Sequence, residues 1–228
     1  MREPSASGDG RRGRGRPPRI SRERIVAAAR ELDPGALTMR AVAERLGVDR
    51  KALNYHVSDR DGLLELVAID VLQDEMQQVA LPAGDWRAAV RRFARAMRDG
   101  MARTGALFDY VKMPIAGGRT ALEPAERLLG ILVGAGFRPE DASRVLTLVA
   151  ELIVSSARDV VLTERHGVHP QVAEIQRLLD DEPADELPWL RRSVAAGPAR
   201  LSGDQLDFDL DLILAGMDTL LDRSAEPR

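Results

Sequence analysis

The stretch Leu37-Thr38-Met39-Arg40-Ala41-Val42-Ala43-Glu44-Arg45-Leu46-Gly47-Val48-Asp49-Arg50-Lys51-Ala52-Leu53-Asn54-Tyr55-His56 decides how this chain is read. Thr38 is a good helix N-cap, because its hydroxyl can accept from an orphan N–H of the first turn. Val42, Ala43 and Leu46 follow at helical spacing, and the helix ends at Gly47, a residue that tolerates the backbone turn. Asp49 caps a second short helix, in which Ala52 and Leu53 can face inward. Two short helices separated by Leu46-Gly47-Val48 match a helix-turn-helix, whose second helix lies in the DNA major groove. That helix presents Arg50, Lys51, Asn54 and Tyr55. Arg and Lys can donate to guanine O6 and N7, and Asn can pair with adenine. On an isolated surface helix the same side chains would read as merely solvated; the capped turn and the basic segment before it favour groove contact.

Working outward, Ser21 caps a preceding helix on which Ile25, Val26, Ala29 and Leu32 recur, and Asp33-Pro34-Gly35 stops it. A fourth helix starts near Asp59 and carries Leu63, Leu64, Val67, Val71 and Leu72 to about Ala80. Beyond it, amphipathic segments are predicted at about 86–104, 121–136, 140–164 and 204–222, with shorter pieces near Leu107 and at 171–180. The stretch 181–200, with Pro183, Pro188 and Pro198, reads as a long exposed connection. No strand-like alternation of useful length occurs. The fold class is all-α: a three-helix helix-turn-helix head and a helical body. The predicted domains are an Arg-rich disordered arm at 1–19, a DNA-binding head at 20–65 and a regulatory body at 66–228.

Residues 1–62 hold fourteen Arg and Lys against nine Asp and Glu, whereas the remainder holds nineteen against twenty-seven. A basic head on an acidic body suggests that only the head meets a polyanion. Within the arm, Arg14 and Arg16 lie in a Gly/Pro context that can follow the narrow minor groove of A·T-rich DNA. A solubilising tail is the plainer alternative. Even that would add salt-dependent affinity through counterion release.

The chain has no cysteine, so disulfides, thiol catalysis and thiolate metal sites are excluded. No apolar run approaches the roughly 18–20 residues of a membrane span, no secretory signal is visible, and a cytoplasmic location is the default. Nucleophile-elbow, phosphate-loop and His-Glu-x-x-His motifs are missing, so no enzyme activity and no cofactor are expected. His166 and His169 flank Gly167 and precede Pro170, which reads as a loop with solvated histidines rather than a metal site.

Leu37 to Val48, continuing through His56 to Asp59-Arg60-Asp61-Gly62-Leu63-Leu64, resembles the N-terminal domain of the tetracycline-repressor (TetR) family. The resemblance implies that Thr38 meets a phosphate, that Arg40 reaches a base or the backbone, and that His56 and Arg60 meet phosphate on the far side. One departure stands out. The family usually places Tyr directly after the leucine of the recognition helix, whereas here Leu53 is followed by Asn54 and only then Tyr55. An aromatic phosphate contact would be displaced by one position, leaving Asn54 to read a base.

The remaining two-thirds resembles the family's ligand-binding and dimerisation domain, in the subgroup of the tetracycline repressors. The matching signals are Asp85-Trp86-Arg87, Gly134-Ala135-Gly136-Phe137 and the run 208–217. The resemblance implies that helices at 140–164 and 204–222 pair with their copies in a four-helix bundle. The apolar face of the first is wide enough to need burial on two sides. Leu148, Leu152 and Ser156, with Leu210, Ile213 and Met217, are the candidate homodimer contacts. Candidate walls of an effector pocket are Met76, Phe93, Met97, Met101 and Phe108. Tyr110, Met113, Leu129 and Val133 complete that set, although Met and aromatics at helical spacing also read as plain core. Tetracycline-binding members hold the drug's metal ion with body histidines, and none of the three histidines here falls in the pocket segments. An apolar or amphipathic small molecule is therefore expected instead. The chain reads as a repressor released from double-stranded operator DNA by an unidentified effector. A ligand-responsive activator or a non-enzymatic interaction module is the alternative.

Overall fold

The computed structural model describes residues 20–111, 118–195 and 203–225, and among these the secondary structure is helical throughout. The Arg-rich arm, with Arg14 and Arg16, lies outside the described residues, as does Met113. Four helices build the head: α1 (Arg22–Arg30), α2 (Met39–Leu46), α3 (Arg50–Leu53) and the first half of α4 (Arg60–Gln77). Each starts on a side chain that satisfies an orphan N–H. Ser21 Oγ accepts from Arg24, Thr38 Oγ1 from Ala41, Asp49 Oδ1 from Lys51 and Asp59 Oδ1 from Gly62. The head core is Ile25, Leu37, Val42, Leu53, Leu63 and Leu64, all with essentially no exposed surface. Burying each stabilises by about 1.5–3 kcal/mol relative to exposure.

The body comprises α5 (Trp86–Arg103), α6 (Gly118–Gly134), α7 (Pro139–His166), α8 (Pro170–Asp180), α9 (Pro188–Ala195) and α10 (Gly203–Ala225). At 28 residues, α7 is about 42 Å long. It packs with α5, α6 and α10 around Val90, Phe93, Leu128, Leu132, Ile153 and Leu210. α6 stops in a Schellman turn: the N–H groups of Gly136 and Phe137 donate to the carbonyls of Val133 and Leu132, and Gly136 has φ +105°. The turn buries Phe137 edge-on against Trp86, with ring centroids 5.0 Å apart. Three ion pairs fasten α5 to α10 in antiparallel order: Arg87 with Asp218, Arg91 with Asp211, and Arg95 with Asp207.

Head and body share α4. Its residues Leu63, Leu64, Val67 and Ala68 complete the head core, whereas Met76 belongs to the body core. A 3-10 turn at Gly105–Tyr110 does the same, sending Leu107 into the head and Phe108 into the body.

Two expectations need correction. The supposed connection at 181–200 contains α9, because Pro188 opens a helix instead of breaking one: its missing N–H would be an orphan there anyway. His169 is also not a solvated loop residue. It is only 5% exposed, its Nδ1 accepts from Gln171 N at 3.2 Å to cap α8, and its Nε2 lies 3.3 Å from Asp159 on α7.

Candidate nucleic-acid interface and body cleft

The turn between α2 and α3 is a second Schellman motif. Gly47 has φ +66°, its N–H donates to Glu44, and the N–H of Val48 donates to Ala43 at 3.0 Å. This turn aims α3 away from α2 and leaves one side of the four-residue helix bare. Leu53 faces the core, while Arg50, Lys51, Asn54 and Tyr55 are exposed together. Tyr55 is 90% exposed, an unusual position for an aromatic ring, and its edge meets the half-buried His56 ring at 5.2 Å.

Thr38 and Arg40 sit at the start of α2 on the same head. Arg40 Nε donates to Glu44 at 2.7 Å, and that carboxylate raises the already high pKa of the guanidinium. Arg60 Nε donates to the carbonyl of Leu37 at 3.1 Å, tying the start of α4 to the residue before the α2 cap. Its remaining N–H groups are available to a phosphate. Gly62 leaves little room at the start of α4 itself: a Cβ there would stand 3.2 Å from Ser58 Oγ in the segment just before the helix.

Another contact at the junction escaped the sequence reading. Arg30, at the end of α1, lies 2.7 Å from Asp74 and 3.2 Å from Asp70, both on α4. Burial pushes the Asp70 carboxyl above the ordinary carboxylate range, Arg30 pulls it back, and the Asp74 charge pushes it further up.

In the body, Met76, Phe93, Met101 and Phe108 are core residues, with Met97 and Leu129 packed against that core. Tyr110 packs against the head cluster, and Val133 is exposed. None of these residues lines the open cleft found on the body. That cleft, of about 690 Å³, opens between the α4–α5 loop, the start of α5 and α6, where Leu81, Trp86, Arg127 and Ile131 form its wall. It was missed because its lining is mostly small residues, which carry no periodic signal.

The dimer candidates divide as well. Leu148 is exposed, while Leu152, Ser156 and Ile213 are half-buried. Leu210 and Met217 are 0% and 1% exposed inside the protomer, on an inward stripe with Leu206 and Leu214, so they have no surface left for a partner. The outward stripe of α10 is instead Phe208 (58% exposed) and Leu212 (62%), continued by Ala215. Among the described residues no group of His, Asp or Glu could hold a metal ion, and no helix is long and apolar enough to cross a membrane.

Residues 79–221 match the family described as "Tetracyclin repressor-like, C-terminal domain". The chain is 31% identical over 140 residues to the class A tetracycline repressor from transposon 1721 of Escherichia coli, covering 60% of this chain and 62% of that protein. It is 26% identical over 224 residues to an HTH-type transcriptional repressor of Mycobacterium tuberculosis, covering 91% of this chain and 84% of the relative. Among solved structures, the Streptomyces coelicolor TetR family protein ActR in complex with actinorhodin superposes with a TM-score of 0.68 at 26% identity. That match covers 91% of this chain and 99% of the other.

Proposed function

Because the chain belongs to the tetracycline-repressor family, we propose that it is a transcriptional repressor that binds operator DNA through its helix-turn-helix and leaves it when a small molecule binds the body. The observation that carries this reading is the shared α4, whose first half is head core and whose last turns belong to the body. A body ligand that moves the end of α4 thereby re-aims α3. Such a ligand shifts the equilibrium only as far as it prefers the DNA-incompetent arrangement, and DNA must weaken ligand binding by the same factor.

In this reading Arg50, Lys51 and Asn54 meet base edges, and Tyr55 meets the backbone. Thr38, Arg40, His56 and Arg60 hold phosphates, and Arg14 and Arg16 of the arm follow the minor groove. Two heads are supplied by a homodimer formed along Leu148, Leu152, Phe208 and Leu212, for which the exposed apolar stripe of α10 is the support. Footprinting on the DNA flanking the chain's own gene tests the reading. Two protected half-sites about one helical turn apart, or a multiple of it, are expected. Uniform protection at all sequences would overturn it.

A further inference from the structure

The cleft between the α4–α5 loop, the start of α5 and α6 has one charged residue on its described wall, Arg127, and the rest is apolar or small. The guanidinium of Arg127 caps the C-terminal end of α4: Nη2 donates to the Met76 carbonyl and Nη1 to the carbonyl of Val79, just past the helix. Both bonds are long, at 3.4 Å, and a guanidinium has five N–H groups, so donors remain for a ligand. The opposite wall is Trp86, packed into the body core. Trp86 is held edge-on by Phe137 and covered by the Arg87 guanidinium, 4.3 Å from its ring centroid.

The floor is equally specific. Gly130 and Gly134 stand one turn apart on α6, and both face open space, since a Cβ at either would meet nothing within 4 Å. Glycine weakens a helix interior, and among the described residues nothing approaches closely enough to require it at either position. Glycines so placed let a flat ligand lie directly on the helix backbone. The volume of about 690 Å³ is that of a small-molecule site.

We infer that this cleft binds a planar aromatic anion, with its carboxylate or sulfonate on Arg127 and its rings between Trp86, Ile131 and the Gly130–Gly134 backbone. This rests on the effector-responsive reading above and gives it a site and a ligand class. The anion draws Arg127 from the Met76 and Val79 carbonyls and so loosens the last turn of the helix that carries the head.

Titration of the full-length protein with 8-anilinonaphthalene-1-sulfonate, followed by energy transfer from tryptophan, tests the inference, and 2-naphthoate and 2-naphthylmethanol serve as competitors. The wild type binds the sulfonate, and the carboxylate displaces it at concentrations at least about tenfold lower than the neutral alcohol does. R127Q and G130L each weaken sulfonate binding about tenfold or more, the first by removing the charge and the second by filling the floor. Melting curves confirm that both variants fold. Undiminished binding by either folded variant, or no binding by the wild type, would overturn the site. Operator specificity is measured separately on the wild type without ligand. Its failure would sink the repressor reading whatever the dye does.

Discussion

Arg30, the last residue of α1, lies between two carboxylates of α4, 2.7 Å from Asp74 and 3.2 Å from Asp70. α1 belongs to the head alone, whereas α4 runs from head to body, so this contact holds the head to its lever. Replacing Arg30 by Gln leaves two carboxylates one turn apart on α4 with no cation between them. Operator affinity is expected to fall several-fold in R30Q even though Arg30 is not among the proposed groove contacts. A gel-shift titration checks it, with R30K restoring part of the loss.

The raised pKa of Asp70 sets a direction for pH dependence. Burial is the largest cause, so the folded protein binds its proton more tightly than the unfolded chain does. Between the unfolded value near 3.8 and the raised folded value, the folded state holds more protons, and the contribution of Asp70 falls as pH rises. Urea unfolding of wild type and D70N at several pH values isolates this residue. The stability of wild type relative to D70N should decline as pH rises through that window. A rising difference would mean that Arg30 outweighs burial.

Leu53, the buried last residue of the recognition helix, and Tyr55, exposed in the turn that follows it, should separate stability from binding. Leu53→Ala removes a fully buried side chain and is expected to cost about 2–5 kcal/mol. Tyr55→Ala should stay within about 0.5 kcal/mol of wild-type stability while weakening operator binding. Denaturant melts and gel shifts on the two variants read both effects.

The same logic applies to α10. Leu212→Glu places a charge on the outward stripe and should yield folded monomers in sedimentation velocity. Leu210→Ala, on the inward stripe, should lower stability by about 2–5 kcal/mol with no specific effect on assembly.

In the proposed reading the arm acts through charge. Deleting residues 1–18 removes Arg11, Arg12, Arg14 and Arg16 among others, and should weaken operator binding and flatten the slope of log K against log salt. An unchanged slope would show that the arm makes no phosphate contacts.

The head was legible because its boundaries are written in side chains with local chemistry. Ser21, Thr38, Asp49 and Asp59 each accept a hydrogen bond from the helix they precede. Gly47, where the helix was expected to end, takes a left-handed conformation. The body was legible only as a set of helices. In α10, positions 206, 208, 210, 212, 213, 214 and 217 are all apolar, so periodicity admits two stripes, and only packing selects Leu206, Leu210, Leu214 and Met217 as the inner one. The α5–α10 ion pairs left a trace in the spacing of Arg87, Arg91 and Arg95, but their partners lie more than a hundred residues away. His169 reads as exposed beside Gly167 and Pro170. Its buried ring lies beside Asp159 of α7, a tertiary neighbour that spacing does not reveal.

The central claim, a sequence-specific DNA-binding repressor, is tested most directly by one ratio. The affinity of the full-length protein for the duplex flanking its own gene is measured against a scrambled duplex of equal length and composition, at about 150 mM salt. A preference of about a thousandfold or more is predicted. Equal affinity for the two duplexes would contradict it.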